Sequence, residues 1–149
     1  MYDLKNPCIS DDNINVAGHR LSTGAMEEVI ATHPDVAECA VIGINDSLKG
    51  EIPLGFVVLK SSSQKKEKQI NEELVEMIRN SIGAVAFYKK THVLRNLPKT
   101  RSGKILRRVL RHIAHERTLE NLKIPPTIED ASVLHEILET IKAEHHKGN

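Results

Sequence analysis

A chain of 149 residues, 40% hydrophobic and 28% charged, has the size of one domain with room for an extra helix or hairpin. It contains no run of about 18 apolar residues, which argues against a membrane span. Its net charge of +1, from 21 basic and 20 acidic residues, argues against a general nucleic-acid binder.

With no Trp, two Tyr and two Phe, the core must rest on Val, Ile and Leu. Ser10 to Arg20 reads as a short extended segment through Ile14 and Val16 with a turn at Gly18. Ser22 or Thr23 caps a helix through Met26, Val29 and Ile30, with Glu27 and Glu28 near its positive end. Pro34 stops that helix by disfavouring helical backbone at His33. Val36 to Ile44 and Pro53 to Lys60 are apolar strands, joined by a turn over Asn45 to Gly50. After a polar linker at Ser61 to Lys68, Ile70, Leu74, Met77, Ile78 and Ile82 recur at helical spacing up to Gly83. Thr91 to Leu94 is a third strand.

Ile105, Leu106, Val109, Leu110 and Ile113 form the apolar stripe of the next helix, with Arg107, Arg108 and Arg111 largely on the other side. Pro125-Pro126 breaks the chain before an amphipathic helix carrying Val133, Leu134, Ile137, Leu138 and Ile141. The order β-α-β-β-α-β-α predicts a small sheet with helices packed on it, an α+β domain.

The cysteines Cys8 and Cys39 make neither a disulfide framework nor a CxxC motif, which points to a reducing compartment. The N-terminus has neither an apolar signal core nor an Arg-rich transit pattern. His145-His146-Lys147 reads as a solvated tail without a function.

The basic residues are unevenly spread. From Lys89 to Arg117 the chain holds ten Lys and Arg against the single acid Glu116, a stripe that attracts polyanions. Within it, Pro98-Lys99-Thr100-Arg101-Ser102-Gly103-Lys104 is a polar, glycine-containing loop presenting three cations ahead of the arginine-rich helix. A lysine on such a loop gives a phosphate a charge-assisted hydrogen bond and is withdrawn when the loop moves.

Leu97-Pro98-Lys99-Thr100-Arg101-Ser102-Gly103-Lys104 resembles, residue for residue, the C-terminal signature of the AMP-forming acyl-CoA synthetases of the adenylate-forming superfamily. A second segment, Asp11-Asp12-Asn13-Ile14-Asn15-Val16-Ala17-Gly18-His19-Arg20-Leu21, resembles the linker between the large and small domains of that family. It is most similar to the short-chain branch, the acetyl- and propionyl-CoA synthetases.

The resemblance implies a mobile C-terminal lid over residues 11–124 with its hinge at Asp11, and a helical extension over 125–149. Residues 1–10 fall outside it: the family expects Gly-Arg before the hinge, whereas this chain has Cys8-Ile9-Ser10, so the segment reads as a foreign or alternative start. Lys104 is implied as the adenylation lysine and Arg20 as a contact to the ATP phosphates. Ala17, Gly18 and Arg79 are implied at the CoA, with Arg79 at its 3′-phosphate. Ala31, His33 and Val36 are implied as a Mg²⁺ site built from carbonyls and one His, although a helix-capping role suits His33 better.

The implied cofactors are ATP, CoA and Mg²⁺, and the implied partner is a large N-terminal adenylation domain. The chain is expected to be inactive without that domain, which would hold the short-chain carboxylate. Placement in the mitochondrial matrix, with the cytosol as alternative, follows from the resemblance alone. Two rival readings remain: a nucleic-acid surface along the basic stripe, for which only Phe87 and Tyr88 offer nearby aromatic rings, and a non-catalytic truncated isoform.

Overall fold

The computed structural model describes residues 13–147, with side chains as far as Ala143. Within them, β1 (Asn13–Val16) and β2 (His19–Ser22) lead into α1 (Thr23–Ala31), followed by β3 (Val36–Asp46) and β4 (Gly50–Leu59). The chain continues through α2 (Glu67–Ser81), β5 (Thr91–Leu94), α3 (Arg107–Glu116) and α4 (Val133–Lys147). The expected α+β class is the observed one. The sheet runs β2-β1-β4-β3 with antiparallel neighbours, and β5 adds to β4 in parallel. Among the described residues no helix is long and apolar enough to cross a membrane.

The turn expected at Gly18 is present, but it folds the expected extended segment back into a hairpin. Ala17 and Gly18 both have positive φ, +50° and +90°, the mirror-image two-residue turn whose twist matches that of the flanking strands. Asn15 Oδ1 accepts from the Gly18 N–H at 3.0 Å, and the Ala17 N–H donates to the Lys49 carbonyl at 2.7 Å. Arg20 therefore returns on β2, opposite Asn15.

Helix α1 begins where the cap residue predicts: Ser22 Oγ accepts from the Ala25 N–H at 3.1 Å. It ends at Ala31, ahead of Pro34. The acids are placed differently from expectation. The first turn holds none, and Glu27 lies further along the helix, engaged in a tertiary contact described below.

Strands β3 and β4 pair along nearly their whole length, with Ala40 against Phe56 and Ile42 against Leu54. Because side chains alternate along a strand, the sheet serves two cores. Ala40, Ile42, Leu54 and Phe56 face α3 and α4, whose Leu110, Ile113, Leu134 and Ile137 are fully buried. Val41 and Val57 face α1 and α2 and pack with Met26, Ile30, Leu74 and Ile78. Helix α4 thus closes the same core as α3.

A close approach explains one glycine. A Cβ built on Gly55 would lie 1.9 Å from Tyr88 Oη. That hydroxyl is held by Thr91 Oγ1 at 2.6 Å and the ring is buried, so it has no easy escape. Gly55→Ala is expected to destabilise the fold by about 1–3 kcal/mol through overpacking, measured as a lower urea midpoint. An unchanged midpoint would mean that the Tyr88 ring can give way.

Candidate functional site

The loop between β5 and α3 is rooted by Leu97, 2% exposed, and closed on itself by main-chain bonds. The Thr100 N–H donates to the Lys104 carbonyl and the Gly103 N–H to the Thr100 carbonyl, both at 2.9 Å. Thr100 Oγ1 accepts from the Lys104 N–H at 3.1 Å. Gly103 sits at φ +94° with nothing within 4 Å of where a Cβ would be, so backbone conformation rather than space calls for glycine there. Arg101, Ser102, Gly103 and Lys104 are exposed at the tip. Among the described residues Lys104 has no ion-pair partner.

Other cations of the stripe are already engaged. Lys99 pairs with Glu38 of β3. Arg107 makes a two-pronged contact with Glu27: Nε donates to Oε2 at 2.8 Å and Nη2 to Oε1 at 2.6 Å. Glu27 Oε2 also accepts from the Val41 N–H at 2.8 Å, which ties α1, β3 and the start of α3 together. Both side chains of this pair are nearly buried, at 13% and 12% exposure. Nothing in the local sequence marks Glu27 or Glu38 for these roles, since their partners lie 80 and 61 residues away.

The remaining site candidates lie elsewhere. Ala17, Gly18 and Arg20 are exposed on the β1–β2 hairpin, and Arg79 is exposed on the last turn of α2. That helix is followed by a 3₁₀ turn at Ala84–Ala86, which touches β2. The hairpin joins β4 at Gly50, where Val16 pairs. The lysine loop meets the other end, because Lys99 pairs with Glu38, which faces Val58. Eight residues of strand separate those levels, roughly 26 Å at about 3.3 Å per residue. The two candidate surfaces therefore occupy opposite ends of the sheet. Asp11 lies outside the described residues.

At the end of α1, His33 is buried and both ring nitrogens are used. The Asp35 N–H donates to Nδ1 at 3.0 Å, so the proton sits on Nε2 and is donated to Glu73 Oε1 at 2.6 Å. The His33 ring thus joins α1 to α2. It does not fit a cation, and any ion at the Ala31, His33 and Val36 turn would fall to carbonyl oxygens. Among the described residues no three His, Cys, Asp or Glu are grouped to hold a metal.

The bonds from His33, then Lys65, hold the Glu73 carboxyl down at about 2. A lowered folded pKa stabilises above the ordinary carboxylate value of 4.5, and that contribution is lost as pH falls toward 2. Glu73→Gln is accordingly expected to flatten the acid side of the stability curve in that window, read from urea midpoints at neutral and acid pH. An unchanged acid limb would detach Glu73 from acid stability.

Burial, then Glu27, pushes the Cys39 thiol up to about 12, away from the thiolate form that a nucleophile requires.

An α+β domain that carries an exposed lysine on a self-closed loop is the class of unit the two sequence motifs anticipate. The chain belongs to the AMP-binding enzyme C-terminal domain family, whose model matches residues 25–104. It is 53% identical over 127 residues to acyl-CoA synthetase short-chain family member B, mitochondrial, of Dictyostelium discoideum, covering 85% of this chain and 18% of that protein. It is 47% identical over 132 residues to acyl-CoA synthetase short-chain family member 3, mitochondrial, of Mus musculus, covering 89% of this chain and 19% of that one.

Among solved structures, the Brucella canis acyl-CoA synthetase superposes with a TM-score of 0.63 at 34% identity. That match covers 68% of this chain and 19% of the other. The chain spans about a fifth of the length of the curated relatives it matches.

Proposed function

We propose that this chain is the mobile lid of an AMP-forming short-chain acyl-CoA synthetase and that it serves two half-reactions with two different surfaces. The observation that carries this reading is the separation of the Lys104 loop from the Ala17–Gly18 hairpin at opposite ends of β4. One domain with two remote active surfaces has to turn between them, and a turn about Asp11 does this.

In the first orientation a carboxylate oxygen attacks the α-phosphorus of ATP, the bond to the β-phosphate oxygen breaks, and pyrophosphate leaves. Lys104, exposed at the end of its loop, sets its ammonium against the carboxylate and the phosphate as charge moves onto the leaving group. Arg20 is assigned to the ATP phosphates by the family resemblance alone, since it sits on the hairpin, at the opposite end of the sheet from Lys104. In the second orientation Lys104 is withdrawn and the hairpin end faces CoA. Ala17 and Gly18 line the pantetheine with backbone, and the Arg79 fork meets the 3′-phosphate. The thiol sulfur attacks the acyl carbonyl, its proton is lost, and AMP leaves.

ATP, CoA and a short-chain acid are then the substrates, a large nucleotide-binding domain is the partner, and the chain alone activates no acid. Mitochondrial placement is supported by the names of its relatives.

The basic stripe is less suited to nucleic acid than its composition suggests. Lys99 and Arg107 are committed to carboxylates, Tyr88 is buried, and Phe87 lies under Lys49 and Lys89, each 4.2 Å from its ring centre. The test joins residues 11–149 to the large domain of a short-chain synthetase and follows both half-reactions with and without the Lys104 amine. Selective loss of adenylation supports the lid; an enzyme indifferent to Lys104 contradicts it.

A further inference from the structure

The family model stops at Lys104, yet the loop bearing that lysine is completed by residues well beyond it. The Arg101 N–H donates to the Thr127 carbonyl at 2.9 Å, and the Glu129 N–H donates to the Lys99 carbonyl at 2.8 Å. Thr100 and Ile128 thereby face each other as an antiparallel bridge, while Lys99 pairs with Ile105 on the other edge. The stretch around Thr100 is thus bridged on both sides, on one of them by a segment from the C-terminal part of the chain.

That segment is itself fixed. The Ile128 N–H turns back to the Pro125 carbonyl at 3.1 Å, and the Ile128 side chain packs on the core. Two residues on, Asp130 Oδ1 accepts from the Ser132 N–H at 3.0 Å and from its hydroxyl at 2.6 Å, directly before α4. Helix α4 is held by Val133, Leu134, Ile137, Leu138 and Ile141, all buried.

We propose that Thr127–Glu129 is a clamp that positions the lysine loop for adenylation, an inference that rests on the lid reading. The twelve-residue connection Arg95–Leu106 is anchored by buried Leu97 and by the Lys99–Glu38 pair, while the backbone around Thr100 and Arg101 is held by the loop's own main-chain bonds and by those from Thr127–Glu129. A misplacement of about 1 Å at a reacting group costs rate even where binding survives. The clamp adds little to a core that α4 already closes; what it fixes is the place of Lys104. Built from main-chain groups, it acts through Lys99 and Arg101 and touches no substrate.

Glu129→Pro removes the one N–H donated to Lys99, whereas Glu129→Ala keeps it. In the 149-residue chain, amide exchange at Arg101 should quicken at least fivefold in Glu129→Pro and stay within twofold in Glu129→Ala, with core amides such as Val57 unchanged. In the joined enzyme, adenylation should fall at least fivefold in Glu129→Pro while thioester formation from preformed acyl-AMP stays within twofold.

Adenylation equal in the two variants, or an equal fall in both half-reactions, overturns the clamp. Lys104→Ala run alongside separates the two claims: if it leaves adenylation intact, the lid reading fails and the clamp's catalytic role with it. If Glu129→Pro does not fold, Asp130→Ala, which loosens the link to α4, carries the same comparison.

Discussion

Lys104→Ala is expected to slow adenylation by about 10²–10³-fold, the usual cost of deleting one preorganised group that faces developing charge. The surroundings make this a clean substitution. Lys104 is exposed, its ammonium supports no ion pair among the described residues, and the loop is closed by the backbone of Thr100, Gly103 and Lys104 rather than by the lysine side chain. Alanine keeps every one of those main-chain bonds. Stability should stay within about 0.5 kcal/mol of the parent, as for surface positions generally. The rate loss therefore reads the amine itself, followed as acid-dependent exchange of pyrophosphate into ATP. A loss below about fivefold would remove Lys104 from the chemistry.

Glu27→Ala carries the largest expected effect on the fold. It deletes the carboxylate that accepts two bonds from the Arg107 guanidinium and one from the Val41 N–H, at a junction nearly closed to water. Removing one partner of such a pair costs about 3 kcal/mol or more, because the charge that remains is still largely desolvated. The variant should unfold at markedly lower urea. Glu27→Gln, which keeps an acceptor for Val41, should lose less. Arg107 opens α3 directly after the lysine loop, so Glu27→Ala should also loosen that loop. Equal stability of the alanine and glutamine variants would show that the carboxylate charge contributes little.

How far the fold could be read in advance depended on how local each signal was. The runs Val36 to Ile44 and Pro53 to Lys60 mark β3 and β4 because β-branched and apolar residues sit between turn formers, and Thr91–Leu94 matches β5 at both ends. Ser22 announces α1 through its own capping oxygen. The hairpin return through Arg20 was missed because Ala17 adopts positive φ, which alanine does not advertise.

The exposed tip Arg101–Lys104 was legible because loop, glycine and lysine are contiguous. Its supports were not. Glu38 under Lys99 and Glu27 under Arg107 are brought in by sheet and helix packing, and Thr127–Glu129 contributes main-chain groups that carry no residue signature. His33 could be seen as a residue ending α1, but its Glu73 partner lies 40 residues on, on another helix.

The central claim is that one domain serves two half-reactions and that Lys104 belongs to the first alone. Its most direct test is single-turnover formation of acyl-CoA from preformed acyl-AMP and CoA by the joined enzyme carrying Lys104→Ala. A rate within about twofold of the parent, beside an adenylation rate that has collapsed, is the predicted result. A thioester-forming step that falls together with adenylation would contradict the account, because the lysine would then be acting in both orientations or in the fold itself.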